Sequence, residues 1–212
     1  MITPERLRQA ILEIEGEVPT IPSLARQLGV SVATIYSHVR GQQELERIAA
    51  DVVFDAYEIP TSSPHSHWAD WMLDYARDAR RMIERYPVAH GSRPTAGGQL
   101  RHIDRVLTQL GALGMNASEA IYTFHQVALL ILGLGAQIEA IRREEVRAGR
   151  ELWGLFLDAR SSHPGELPVL ARLGREGIPP LDTAFDELVW FTLTGIARRR
   201  GEVLAAEPAH SS

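Results

Sequence analysis

The chain has 212 residues, 45% of them hydrophobic, with no cysteine and a formal net charge of −5. That length supports one or two domains with a sizeable core, and the missing cysteines exclude a disulfide framework and thiolate chemistry. The apolar run Val127–Ile138 carries Gly133, Gly135 and Gln137 and is short for a bilayer span, and MITPERLRQA has no signal-type hydrophobic region, so a cytoplasmic protein without a membrane partner is expected.

Strand signals are almost absent, and the pattern predicts an all-α chain punctuated by Gly and Pro. Thr3-Pro4-Glu5 combines an N-cap, a first-turn proline and a first-turn acid, opening a helix to about Glu15. Gly16–Pro19 ends it, and Thr20–Pro22 starts the next, on which Leu24, Ala25 and Leu28 repeat at helical spacing. Gly29 suits the left-handed exit of that helix, Val30 is an apolar plug, and Ser31 can cap a second short helix. Two short helices around a glycine turn form a helix-turn-helix, whose second helix enters the DNA major groove. An ordinary helical hairpin would also use Gly29, but it has no need of the polar Thr34/Tyr36/Ser37/His38 face that follows.

After Gly41 a longer helix is predicted to about Ile59, with Leu45, Ile48, Ala49, Val52 and Val53 on one side; PTSSP at 60–64 breaks it. Further helices are expected over Ser66–Arg85, Leu100–Leu113, a long one capped by Ser118 or Asn116 and running to about Ala148, Trp153–Arg160, Leu167–Leu173 and Pro180–Arg200. Ala120–Ile141 and Asp182–Arg198 are more apolar than one buried stripe requires, which points to a dimer interface, burial in one monomer core being the alternative; Gly133, Gly135 and Gly195 would admit a close backbone. A two-fold dimer places two recognition helices about 34–36 Å apart, one DNA turn. The expected divisions are a DNA-binding domain at 1–50, a helical effector-binding and dimerisation domain at 51–206, and a disordered tail at 207–212.

The acidic balance is unusual for a DNA binder. In residues 1–50, Arg6, Arg8, Arg26, Arg40 and Arg47 face Glu5, Glu13, Glu15, Glu17, Glu44 and Glu46, and the chain has no lysine. Segregation of the arginines to one side would reconcile this, with helix N-termini and hydroxyls holding phosphates. Few phosphate ion pairs and a shallow salt dependence are expected.

The run Leu24–Leu45, L-A-x-x-L-G-V-S-x-x-T-I-Y-x-H-V followed by a polar turn and E-L, resembles the reading head of the tetracycline-repressor (TetR) family of bacterial regulators. HGSRPT at 90–95 and ASEAIYTFHQVALLILGLG at 117–135 resemble the ligand-binding domain of that family, though less specifically. The resemblance implies an all-helical, Ω-shaped homodimer with a four-helix interface. It places the recognition helix at Ser31–His38, with Val32, Ala33, Tyr36 and Ser37 at base edges and Thr34, Tyr36 and His38 at phosphates; His38 as a packing residue is the alternative. Arg26 and Arg40 are candidates for the DNA side. Gln42 stands where many members have a phosphate-binding lysine. The resemblance also implies an effector pocket among the helices at Trp68–Arg80, Leu100–Leu113 and Ser118–Ile138, with Trp71, Tyr75, Arg93, Ile103, Ile121, Phe124, His125 and Ala128 as candidate liners.

Departures from the tetracycline-binding pattern are marked. The family histidine on the helix joining head to core is here Glu58 or Tyr57, an Asn and a Phe become Tyr75 and Ala79, and the metal-ligating histidine becomes Ala89, beside His90. Tetracycline with magnesium is therefore not the expected effector. His90, His102 and His125, or His65 and His67, do not make a convincing metal set, and no metal or cofactor beyond a small organic effector is expected. Nucleophile elbow, phosphate loop and HExxH are all missing, so the chain does not read as an enzyme. The expected function is an operator-binding repressor released by an effector. An activator, a regulator without a ligand, and a small-molecule carrier or enzyme are the alternatives.

Overall fold

The structure is a computed structural model, and it describes residues 2–60, 67–90, 97–151, 154, 158, 161, 162, 166 and 181–204. Among these every regular element is helical: α1 (Pro4–Leu12), α2 (Ile21–Leu28), α3 (Val32–Tyr36), α4 (Gln42–Ala56), α5 (Trp68–Arg85), a 3-10 turn at Pro87–Ala89, α6 (Gly97–Ala112), α7 (Ala117–Ala148) and α8 (Leu181–Arg199). The helices expected at Trp153–Arg160 and Leu167–Leu173, the 60–64 break beyond Pro60, and the tail at 207–212 lie largely or wholly outside the described residues.

The chain forms two compact units, Met1–Ile131 and Leu132–Ser212. In the first, α1, α2 and α3 pack with the start of α4 around Ile11, Leu24, Ile35, Val39 and Leu45, all buried. A second layer forms where α4 crosses α6, alongside a core of Trp71, Met72, Leu73, Val106 and Leu110. A boundary at residue 50 would thus fall inside α4, which is continuous from Gln42 to Ala56.

Local chemistry sets most of the ends. Thr3 Oγ1 accepts from the Arg6 amide at 3.2 Å, and Pro4 opens α1 as expected. α1 ends at Leu12, earlier than Glu15, because the Ile14 amide bonds back to Ile11 and the chain turns through Gly16 at φ 75°. Thr20 and Ser23 form a reciprocal capping box on α2, which Gly29 ends at φ 66°. α4 stops at Ala56 rather than Ile59: Tyr57 is already extended, and Pro60 disfavours helix just before it. Arg105 Nη2 from α6 closes that end, donating to the carbonyls of Phe54 at 2.9 Å and Tyr57 at 3.2 Å.

In the second unit α8 buries Phe185, Val189, Leu193 and Ile196 while leaving Leu188 and Phe191 exposed, the latter at 70%. A helix with apolar residues on opposite sides has more apolar surface than one core contact uses. On α7, Ile121, Tyr122 and Leu129 are exposed in the same way. The stretch Ala117–Gln137 is long and apolar enough, by length and composition, to cross a membrane, and only 22% of it is buried. It is longer than the run at Val127–Ile138 because the helix already begins at Ala117.

Candidate DNA-binding head and effector layer

The reading head rests on a short, firmly capped helix. Ser31 Oγ accepts from the Thr34 amide at 3.1 Å and lies 2.8 Å from Thr34 Oγ1, and Ser37 Oγ donates to the Thr34 carbonyl at 2.7 Å. Ile35 and Val39 pin α3 and its exit into the core. The opposite face is left to solvent: Val32 is 41% and Tyr36 57% exposed, and Ala33, Ser37 and His38 are exposed with them. His38 therefore does not pack inside the head. Arg26 and Arg40 are also exposed.

Several predicted acidic and polar residues turn out to hold the head together. Glu13 accepts from Gln9 at 2.8 Å and Gln27 at 2.6 Å, bonds that lower its carboxyl pKa, Gln9 contributing most, and the Gln27 bond ties α1 to α2. Gln42, placed by the family pattern at a phosphate, has its side chain engaged within the protein. Its Nε2 donates to Pro19 O and to Glu46 Oε1, each at 2.8 Å, and its Oε1 accepts from the Ile21 amide at 3.3 Å.

Head and core are joined mainly through α4 and α6. The Gly98 amide donates to Asp51 Oδ1 at 2.8 Å, and Arg101 forms a two-point bond to Asp55 at 2.9 and 2.6 Å. The Arg101 bond is the principal reason the Asp55 carboxyl lies below its ordinary range.

Below this crossing lies an aromatic layer around His102. Tyr75 Oη and His102 Nε2 are 2.9 Å apart; the imidazole is 2% exposed and sits among the rings of Phe54, Tyr57 and Tyr75 at 5.2, 5.4 and 5.9 Å. Trp71 stacks on Tyr75 at 5.6 Å, donating its Nε1 to Pro60 O, and Phe124 tilts against Tyr75 at 6.5 Å. Burial, with the nearby Arg105 charge as the lesser cause, pushes the His102 pKa down to about 4. Burial likewise pushes the hydroxyls of Tyr75 and Tyr57 well above the ordinary phenol range. The His102, Tyr75 and Tyr57 side chains are thus uncharged at neutral pH, beside the Arg105 guanidinium.

His102 Nδ1, Tyr57 Oη and Arg105 Nε are buried without a partner among the described residues, as are Gln109 Nε2 on α6 and Thr123 Oγ1 on α7. Each such atom costs about 1–3 kcal/mol if left unpaired.

Of the expected pocket residues, the structure brings Trp71, Tyr75 and Phe124 together. Ile103 and Ala128 are half-buried, Ile121 and His125 lie on the exposed face of α7, and Arg93 is outside the described residues. The buried polar residues His102 and Thr123 were not among the expected pocket residues. His102 falls in register with Val106 and Leu110 on α6, so a polar residue on an apolar stripe was the available signal. Among the described residues no group of three or more potential ligands surrounds a point where a metal would sit.

A capped recognition helix on an all-helical body defines a helix-turn-helix DNA-binding protein. The tetracyclin repressor-like C-terminal domain profile matches residues 60–199, and the chain belongs to the TetR family of transcriptional regulators. An HTH-type transcriptional regulator of Saccharopolyspora erythraea is 27% identical over a match covering 70% of this chain and 63% of that protein, so the match spans less than two thirds of this relative. The HTH-type transcriptional repressor DrrR1 of Streptomyces coeruleorubidus is 24% identical over 95% of this chain and 81% of its own length. ActR of Streptomyces coelicolor, crystallised with actinorhodin, shares the fold at a TM-score of 0.68 and 21% identity, covering 95% of this chain and all (100%) of that one.

Proposed function

We propose that this regulator is a homodimeric, cytoplasmic repressor that holds an inverted-repeat operator and releases it when a small organic effector enters the layer around His102 and Tyr75. The observation that carries the DNA half is the exposed Val32/Tyr36/Ser37/His38 face on a helix whose other face is locked by Ile35. Val32 and Ala33 would meet thymine methyls, Ser37 would bond a base edge, and Thr34, Tyr36, His38, Arg26 and Arg40 would hold phosphates. The exposed apolar residues of α7 and α8 support dimerisation, and Gly133 and Gly195 have open space where a Cβ would stand.

For the effector, the aromatic walls and the unpartnered His102 Nδ1 favour an aromatic ligand with hydrogen-bonding groups. The fold shared with ActR, crystallised with actinorhodin, is consistent with that class. No metal or further cofactor enters this reading. An occupant would press on α4 through the Phe54–His102 ring contact and the Arg105 cap. A roughly 10²-fold preference for the released state, about 2.7 kcal/mol, would weaken operator binding by the same factor.

The experiment is selection of bound duplexes from a random pool, followed by affinity measurement for Tyr36→Ala. An enriched inverted repeat that Tyr36→Ala no longer binds, with helicity and dimer mass unchanged, supports the reading. A folded protein that enriches no sequence overturns it.

A further inference from the structure

A cavity lies in the cleft where α1 and α4 of the head meet α5, and it shares Tyr57 with the His102 layer. It measures about 620 Å³, within the range of drug-sized sites. Its apolar lining comes from Leu12, Val53, Ala56 and Met82, and two aromatic residues, Tyr57 and Tyr86, stand among them. The cleft is closed at one end by bonds between head and α5: Gly16 N to Arg85 O at 2.8 Å, Tyr86 Oη to Leu12 O at 3.2 Å, and the Arg85–Glu15 ion pair at 2.5 Å.

Both arginines on this cleft are already paired. Arg85 is held by Glu15, and Arg81 is held by Asp78 in a surface pair, with the Arg81 side chain 69% exposed. Glu58 adds a carboxylate that repels anions, and a charged ligand would lose hydration against Leu12, Val53 and Met82. The open polar position is the Tyr57 hydroxyl, which is buried without a partner and feels the Asp78 and Arg81 charges. Burial keeps that phenol protonated, so it has a proton to donate.

We propose that the α1–α4–α5 cleft is a second small-molecule site, for an uncharged aromatic compound whose carbonyl accepts from Tyr57. The ligand ring lies between Tyr57 and Tyr86, over Met82, and spans the joint between head and core.

Benzophenone is a neutral aromatic ketone that inserts into nearby C–H bonds under near-ultraviolet light, and it tests this directly on the full chain without DNA. The expected result is saturable labelling that maps to peptides containing Leu12 or Met82–Tyr86, which line the cleft and not the His102 layer. Tyr57→Phe keeps the ring and, having no hydrogen bond to lose, keeps the fold. It should raise the half-saturating concentration about fivefold, the worth of one neutral hydrogen bond. Ala56→Phe fills the cleft and should abolish the labelling. Labelling confined to α6 and α7, labelling that does not saturate, or labelling indifferent to Tyr57→Phe would each overturn the proposal. Because no DNA is present, a failure here leaves the operator-binding reading standing.

Discussion

Gly98 and Asp51 stand where two helices come closer than any side chain allows. The Gly98 amide donates to Asp51 Oδ1 at 2.8 Å, and a Cβ on Gly98 would lie 2.4 Å from the Asp51 carbonyl oxygen. The clash is with backbone, which cannot swing aside as a flexible side chain would. Gly98→Ala therefore has to push the first turn of α6 off α4. Overpacking of this kind costs about 1–3 kcal/mol. Urea unfolding should show that loss, and operator affinity should change with it, since α4 begins one short turn after α3. An unchanged unfolding midpoint would show that the crossing is looser than the geometry states.

Gln42 separates a structural role from a DNA contact. Its side chain satisfies the Ile21 amide, the Pro19 carbonyl and Glu46 at once, so Gln42→Ala leaves the first turn of α2 short of its partners. Stability should fall by about 1–2 kcal/mol in thermal or urea unfolding of the free protein. If Gln42 served only phosphate, DNA affinity would fall while the free protein unfolded as before.

How far the sequence carried depends on the range of the interactions involved. Capping and turn chemistry is local, so Thr3, Thr20, Gly29 and Ser31 could be read directly, and the structure places all four at helix ends. The exposed face of α3 followed from the same local pattern. Contacts across the fold were not legible. Gln42 is 21 residues from Ile21 and 23 from Pro19, and no periodicity reveals such a bridge. The aromatic layer was half-read: Trp71, Tyr75 and Phe124 stood out as bulky residues. His102 did not, because its pairing with Tyr75 spans 27 residues.

Arg105 links the aromatic layer around His102 to the end of α4. It is half-buried, and its Nη2 satisfies the carbonyls of Phe54 and Tyr57, which have no helical partner beyond Ala56. Arg105→Met keeps much of the side-chain bulk and removes both bonds. About 1–3 kcal/mol of stability should be lost, and hydrogen exchange should accelerate at the C-terminal turn of α4 before it does in α2. Equal acceleration throughout the head would show that Arg105 supports the whole domain rather than this helix end.

His102 makes the stability of the protein depend on pH in a definite direction. Its folded pKa is about 4, against an ordinary value of 6.5, with burial as the larger cause and the Arg105 charge as the lesser. The unfolded chain therefore binds a proton that the folded chain refuses between those two values. Stability from this group is complete above about pH 6.5, falls as the pH drops, and levels off below about pH 4. Over the whole window the loss is about 3 kcal/mol, of which about 2 kcal/mol has gone by pH 5. His102→Gln can still bond Tyr75 but does not titrate. Comparing urea unfolding of the two proteins at pH 7 and pH 5 cancels the other histidines, and the wild type should lose about 2 kcal/mol more than the variant. Equal losses would mean that the imidazole is hydrated or paired in the folded protein, which would remove its unpartnered Nδ1 as a ligand contact.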